Sequence, residues 1–346
     1  MRKIYTVAFL ILVFFDFASA HDKHFTQFYA APLTLNPALT GAFNGSYRVG
    51  GTYRDQWRNA LDDPYVTFAT AIDVRFPVEF DPRYKDAFAV GLLFYTDKVS
   101  SIDFNTNQIA LSGAFHKALD FENKQYLSAG FQAGLAQRNV NYENLTFGDQ
   151  FNAVDAFEFA TAENLPENNF SFADFNVGIN YAITPKKGLS FFVGAAMHHV
   201  FQPQLTFYTV DDGGDSKLFS KYSAQLSAEI PLNWRLSLVP RVLFATQGPH
   251  TEINAGSNIR IKINDYNESA IHVGGWVRPV GNYDDSFGID AAIVMFGLEL
   301  NSVLIGLSYD LNLTDLTTTQ QGQGAFEISI TYLGNFDNDS ILCPKF

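Results

Sequence analysis

Tyr65-Val66-Thr67-Phe68-Ala69-Thr70-Ala71-Ile72-Asp73-Val74-Arg75-Phe76 decides how this chain is read. Successive side chains of a β-strand point to opposite faces, so the segment divides in two. Val66, Phe68, Thr70, Ile72, Val74 and Phe76 share one face, and Tyr65, Thr67, Ala69, Ala71, Asp73 and Arg75 share the other. The first face is apolar; the second is polar and charged. The run is also long. Strands of soluble domains commonly hold about 5–6 residues, whereas a strand crossing a bilayer at a tilt needs about 9–11.

The same alternation recurs outward from this stretch. In residues 124–140, Leu127, Ala129, Phe131, Ala133 and Leu135 oppose Ser128, Gly130, Gln132, Gly134 and Arg138. In 217–230, Leu218, Tyr222, Ala224, Leu226, Ala228 and Ile230 oppose Lys221, Ser223, Gln225, Ser227 and Glu229. In 252–265, the face of Ile253, Ala255, Ile259, Ile261 and Ile263 opposes Asn254, Asn258, Arg260 and Lys262. In 303–313, Val303, Ile305, Leu307, Tyr309 and Leu311 oppose Ser308, Asp310 and Asn312. Such segments number about fourteen, most of them roughly 9–15 residues long. They begin near Arg48, Tyr65, Phe88, Asn105, Lys124, Phe172, Gly188, Lys217, Asn233, Glu252, Ala270, Gly288, Val303 and Ala325.

The connections add a direction. Short turns follow even strands (184–187, 231–232, 264–267), and longer loops follow odd ones (141–171, 201–215, 314–324). Two even connections, 77–86 and 117–123, are longer than that pattern prefers. Barrels of bacterial outer membranes have short periplasmic turns and long outer loops, so both termini are expected in the periplasm. Thirty-four Phe and sixteen Tyr supply rings for the two interfacial girdles. The polar faces hold Asp73, Arg75, Lys221, Glu229, Arg235, Arg241, Arg260 and Arg278, with Arg138 and Lys262. That is too much charge for a dry core, so these faces line a lumen or meet water. Strand length and loop asymmetry favour the lumen. The mixture of signs points to paired charges or a plug rather than an ion-selective pore. The fold expected is all-β: a transmembrane antiparallel β-barrel with an N-terminal plug or periplasmic cap.

Residues 1–20 read as a leader. Arg2 and Lys3 precede an apolar run that ends in Ala18-Ser19-Ala20, the pattern of a cleaved signal peptide. Residues 21–47 then form the plug or cap, 48–336 the barrel and 337–346 a tail. The net charge is −13, and −14 without Arg2, Lys3 and Asp16. With no basic cluster, nucleic acid is not expected as a partner. The single cysteine, Cys343, excludes an intrachain disulfide.

The opening of the mature chain carries a family resemblance. It reads Phe25-Thr26-Gln27-Phe28-Tyr29, Pro32, Leu35-Asn36-Pro37-Ala38-Leu39-Thr40-Gly41, Arg48 and Tyr53-Arg54-Asp55-Gln56-Trp57. This resembles the PorP/SprF family of the type IX secretion system of Bacteroidetes, which opens with F-S-Q-Y, L-N-P-A-x-T-G and Y-R-x-Q-W. Thr26 and Phe28 depart mildly from it. Weaker matches follow at His198-His199, Gln202-Pro203, Gly306-Leu307-Ser308-Tyr309-Asp310, Gly324-Ala325-Phe326-Glu327-Ile328 and Cys343-Pro344-Lys345-Phe346. The resemblance implies a bacterial outer-membrane protein, set in lipid and lipopolysaccharide. It implies work with secreted cargo that carries a C-terminal secretion domain, including gliding adhesins, and for some members a link to periplasmic secretion subunits. Gln27, Tyr29, Pro32, Asn36, Pro37, Thr40, Gly41, Arg48, Tyr53, Arg54, Gln56 and Trp57 become candidates for plug or partner contact. The residues themselves say less. Asn36 before Pro37 is pushed out of the helical region, and Gly41 offers a turn. The segment is therefore a rigid non-strand piece that closes the barrel or docks a partner.

No catalytic chemistry is expected. His198 and His199 are adjacent, so on a strand they face opposite ways and do not share a metal. Asp211-Asp212-Gly213-Gly214-Asp215 lacks the spacing and closing Glu of a calcium loop. No nucleophile elbow, P-loop or dinucleotide-binding pattern occurs, so neither enzyme activity nor a cofactor or metal is expected. The competing functions are a transporter of hydrophobic small molecules, like the fatty-acid transporters, and a general porin.

Overall fold

A computed structural model describes residues 24–58, 64–99, 103–143, 145–151, 157, 159–207, 216–264, 269–281, 286–313 and 324–336. The leader at 1–20, the acidic loop 211–215, Cys343 and the tail 337–346 lie outside the described residues. Fourteen strands form one closed antiparallel barrel: β1 (Tyr47–Gln56), β2 (Tyr65–Val78), β3 (Asp86–Val99), β4 (Phe104–Ala118), β5 (Gln125–Asn139), β6 (Asn169–Lys186), β7 (Leu189–His198), β8 (Lys221–Pro231), β9 (Leu236–Gln247), β10 (His250–Asn264), β11 (Ser269–Gly281), β12 (Phe287–Leu300), β13 (Val303–Asn312) and β14 (Gly324–Gly334). Each strand pairs with its neighbours in sequence. The ring closes where β1 meets β14, from Tyr47 opposite Gly334 to Gln56 opposite Ala325. Closure pairs every wall strand on both sides, which is what a sheet in lipid requires.

The alternation sets the two faces. On β2, Ile72 is 45 % exposed while the adjacent Asp73 is 1 % exposed. Phe76, Leu92, Leu111, Phe131, Leu226, Ile259 and Val294 are likewise exposed, and Thr67, Ser112, Gln132, Gln225 and Asn258 are buried. Apolar groups outside and polar groups inside invert a soluble barrel and suit a bilayer. Rings gather at both rims. Tyr84–Phe121 and Tyr47–Phe336 lie at the end with the even-numbered turns, and Phe170–Phe207 and Trp57–Tyr65 at the other.

The strands start within four residues of the positions that the alternation gave. The largest difference is at β8, because Lys217 belongs to an isolated bridge with Gln204 in the preceding loop. At β9 the side-chain oxygen of Asn233 accepts from the N–H groups of Arg235 and Leu236, both at 2.9 Å, which makes a turn of what was read as strand. Arg235, expected in the lumen, is therefore exposed and stacks over Trp234 at 4.2 Å. The loop asymmetry is also incomplete. The β9–β10 connection follows an odd strand but is only Gly248 and Pro249, with Gly248 at φ +55°.

Side chains alone do not fill a ring of this size. Its interior holds the N-terminal segment, whose Leu33, Ala38 and Leu39 are at most 1 % exposed.

Candidate functional site

The N-terminal segment is a chain of very short turns. A 3₁₀ turn at Phe28–Ala30 leads to one helical turn, Pro32–Leu35, with proline where no N–H is needed. Asn36 is extended (φ −160°, ψ 121°), as a residue before proline should be. Its side-chain oxygen accepts from the Ala38 N–H at 2.9 Å and caps a second 3₁₀ turn, Pro37–Leu39. Gly41 then reverses the chain at φ +74°.

Three polar grips hold this piece to the wall. The first is at Thr26 and Gln27. Glu327 of β14 accepts both backbone N–H groups, at 2.9 and 2.7 Å. The Thr26 hydroxyl donates to Asp310 at 2.8 Å and accepts from Arg54 at 2.7 Å and Arg278 at 2.5 Å. Arg54 also donates to Asp310 (2.9 Å) and Glu327 (3.3 Å), and Arg278 donates to Asp310 (2.7 Å). Two guanidinium groups thus face two carboxylates, all of them buried. Burial without pairing would be very costly for any one of them; together they compensate. The Gln27 amide completes the grip, donating to Ser308 and accepting from Ser329.

The second grip is at Asn36. Its amide donates to the carbonyls of Ile179 (3.0 Å) and Ala195 (3.2 Å), opposite residues of β6 and β7. Gln132 donates to the Leu33 carbonyl at 3.1 Å. Glycines clear this seat: a Cβ on Gly178 would lie 2.0 Å from the Asn36 oxygen, and one on Gly130 would lie 2.3 Å from the Ala38 nitrogen. The third grip is at Thr40 and Gly41. Asp73 accepts from the Gly41 N–H (2.7 Å) and from two nitrogens of Arg48 (2.9 and 2.7 Å), while Arg48 also donates to the Leu39 carbonyl. His116 Nε2 meets the Thr40 carbonyl at 2.7 Å and so carries the proton; Nδ1 faces the Ser128 hydroxyl at 2.7 Å.

Between the grips lies an aromatic contact. Phe28 and Tyr29 pack on Trp276 at 5.8 and 6.1 Å, and the Arg241 guanidinium lies 4.0 Å from the Tyr29 ring centre. Beneath it, toward the end with the even-numbered turns, a cavity of about 1050 Å³ opens, walled by the segment, by β6 to β14 with Arg48 of β1, and by the β4–β5 turn. Short turns mark this as the periplasmic end.

The structure sorts the residues singled out in the sequence. Gln27, Tyr29, Asn36, Thr40, Gly41, Arg48 and Arg54 meet in the grips and the aromatic contact, and Pro32 and Pro37 shape the segment between them. Tyr53 and Trp57 do not join them: the Tyr53 hydroxyl donates to Asp55, and Trp57 lies edge-on to Tyr65 at φ +64°. Gln56 ends β1 opposite Tyr65. Of the lumen charges, Asp73 and Arg278 are in the grips, Arg75 is buried beside Gly41, and Arg260 pairs with Glu299 at 2.5 Å. Glu229 and Arg241 line the cavity, and Lys221 starts β8 opposite His198. The two histidines do not face opposite ways. His199 adopts φ +55°, a turn rather than a strand, and both rings are buried. His198 reaches the Leu35 carbonyl at 3.2 Å, and His199 reaches Asp174 at 2.7 Å. Among the described residues no group of three or more His, Cys, Asp or Glu could hold a metal ion. Asp310, Glu327, Gln132 and His116 were missed as site residues. Asp310 and Glu327 stand in two of the weaker family matches, on inward positions of their strands, which is the available signal.

A model of the family described as type IX secretion system membrane protein PorP/SprF matches residues 18–332. Comparison with curated proteins returned no match. Among solved structures, the toluene transporter TodX of Pseudomonas putida aligns over 92% of this chain and 99% of its own, at 12% identity and a TM-score of 0.50, a likeness of fold alone. BamA of Haemophilus ducreyi lacking POTRA domains 1–3 aligns over 84% of this chain and 70% of its own, at 11% identity and a TM-score of 0.46.

Proposed function

Because the chain belongs to the PorP/SprF family of type IX secretion system membrane proteins, we propose that this outer-membrane barrel assists the secretion or surface anchoring of cargo proteins that carry a C-terminal secretion domain. Gliding adhesins are one such class of cargo, and periplasmic secretion subunits are the further partners. The barrel acts without catalysis, as a fixed part of the machine. Residues 21–47 serve as its plug, and the long loops after odd strands receive cargo at the surface.

One observation carries this reading: the opening block that resembles the family is the block bound across the lumen. Gln27, Asn36, Thr40 and Gly41 bond to wall residues, and the wall partners Arg48 and Arg54 belong to the same block. A lumen crossed in this way suits a docking or anchoring part better than an open pore. The charge on the cavity lining, seven Lys or Arg and three Glu, counts against the hydrophobic-transporter reading. A hydrocarbon path calls for walls with few charged groups.

The test is deletion of the gene in its own host, with quantitative proteomics of the surface, the medium and the periplasm. Proteins that share a C-terminal secretion domain should leave the surface or the medium and collect in the periplasm, and the intact gene should restore them. An unchanged surface and secreted proteome sinks the proposal.

A further inference from the structure

The cavity beneath the N-terminal segment is lined by more cations than carboxylates, and one of them, Arg241, has nitrogens without a hydrogen-bond partner. Arg241 stands on β9 at its roof and is 8 % exposed. Its Nε and Nη1 atoms are buried and have no hydrogen-bond partner, and the flat of its guanidinium rests on Tyr29. Three other buried arginines that touch the segment donate to carboxylates, Arg48 to Asp73, and Arg54 and Arg278 to Asp310; Arg75, beside Gly41, also has a buried nitrogen without a partner but does not line this cavity. A buried guanidinium without an acceptor is costly, and the fold keeps one at the head of a large open cavity.

The rest of the lining has the same sign. Lys262 stands on the wall, and Lys186 and Lys187 sit at the mouth. Three glutamates share the lining. Glu299 is held by Arg260 and His272, Glu122 pairs with Lys124 in a turn, and Glu229 on β8 is the remaining carboxylate. The lining is thus cationic in a chain whose net charge is −13. Val239, Met295 and Phe192 add apolar wall to the cavity. The volume of about 1050 Å³ is that of a ligand site rather than a packing defect.

We propose that this periplasm-facing cavity binds a carboxylate-bearing ligand, with the carboxylate drawn to the guanidinium of Arg241. A guanidinium and a carboxylate form a strong charge-assisted pair. A dianionic phosphate suits the place less, because one guanidinium faces it while Glu229 stays on the wall. Because Arg241 also stacks on Tyr29, a ligand there touches the same residue pair that holds the N-terminal segment. The site rests on the lining of the cavity and is independent of the cargo role.

The test uses the full chain, purified in mild detergent and checked for barrel folding by its heat-modifiable migration. Fluorescein-labelled penta-glutamate is followed by anisotropy, with penta-lysine as the control and glutarate and inorganic phosphate as competitors. The expected result is saturable binding of penta-glutamate but not penta-lysine, weakened tenfold or more in Arg241→Gln. Arg241→Lys keeps the charge but loses the fork, and should fall between the two. Lys262→Gln, at the wall, should weaken binding severalfold and serves if the Arg241 variants do not fold. Competition by glutarate supports a small dicarboxylate as the source; binding of the peptide without competition by glutarate supports an acidic peptide segment. Absence of binding, equal binding by Arg241→Gln, or displacement by phosphate at the concentration where glutarate acts would overturn the proposal.

Discussion

The upper lumen around Thr26 and the lower lumen around Arg241 are built from the same residue types and reach opposite states. Above, Arg54 and Arg278 meet Asp310 and Glu327, and each carboxylate also takes donors from the N-terminal segment. Below, Arg241 finds a ring face instead of a carboxylate and borders empty space. The upper region is a structural lock, in which charge is tolerated because it is paired and hydrogen-bonded. The lower region is incomplete on its own, which is how a binding site differs from a core. A buried charge therefore reports function only after its partners are counted.

The sharpest way to break the comparison is to remove an acid from the lock. Asp310→Ala leaves Arg54 with Glu327 alone and takes the buried ion-pair partner from Arg278; it should cost about 3–5 kcal/mol in urea unfolding of the detergent-solubilised barrel. The same variant should show greater ion conductance in planar bilayers than the unaltered chain, because the segment is no longer held. If the variant is as stable as the parent and no more conductive, the lock is not what holds the segment.

A smaller effect comes from filling a seat. Gly178→Ala places a Cβ where the Asn36 side chain lies, and overpacking of this kind costs about 1–3 kcal/mol. Asn36→Ala removes the donor to Ile179 and Ala195 and should cost about 1–2 kcal/mol. Limited proteolysis distinguishes local from global loss: residues 24–46 should be cut faster while the strands stay resistant. Equal protection of the segment in both variants would mean that the β6–β7 seat contributes nothing.

The lower lumen should respond with the other sign. Arg241→Leu replaces an unsatisfied charge by an apolar group, and its unfolding free energy should stay within about 1 kcal/mol of the parent or rise. A loss as large as that of Asp310→Ala would show that Arg241 is part of the lock after all, and the contrast between the two regions would collapse.

The smallest effect lies at the surface. In the β2–β3 turn the guanidinium of Arg83 donates to Asp81 and holds its carboxyl down at about 2. A lowered carboxylate contributes stability that is present above its ordinary value of 3.8 and lost as pH falls through about 2. Asp81 lies in a surface turn and its partner Arg83 is mostly in water, so Asp81→Asn should leave the melting temperature at pH 7 unchanged within error. Only below the ordinary carboxylate range should the two curves draw together from any difference that exists.

Much of the wall was legible before the structure because the strand period is local. A residue's face depends on parity alone, so Asp73 and Ile72 could be assigned to opposite sides from twelve letters of sequence. Local rules fail where the backbone leaves the strand. Arg235 was misassigned because Asn233 makes a turn with its own side chain, and His199 because a positive φ breaks the parity. The opening block stood out as a pattern, and Asn36-Pro37 announced its own extended bend. Its partners were not legible, since Glu327 lies 301 residues from Thr26.

The sequence by itself determined a closed antiparallel wall of about fourteen strands with an apolar outside and a charged inside, because alternation and turn chemistry act over a few residues. It also determined that the opening segment is not a strand. Only the tertiary structure decided which charges pair and which do not. Pairing in the lumen depends on strand register around the ring and on where the segment crosses it. Both bring together residues hundreds of positions apart, for which no local rule exists.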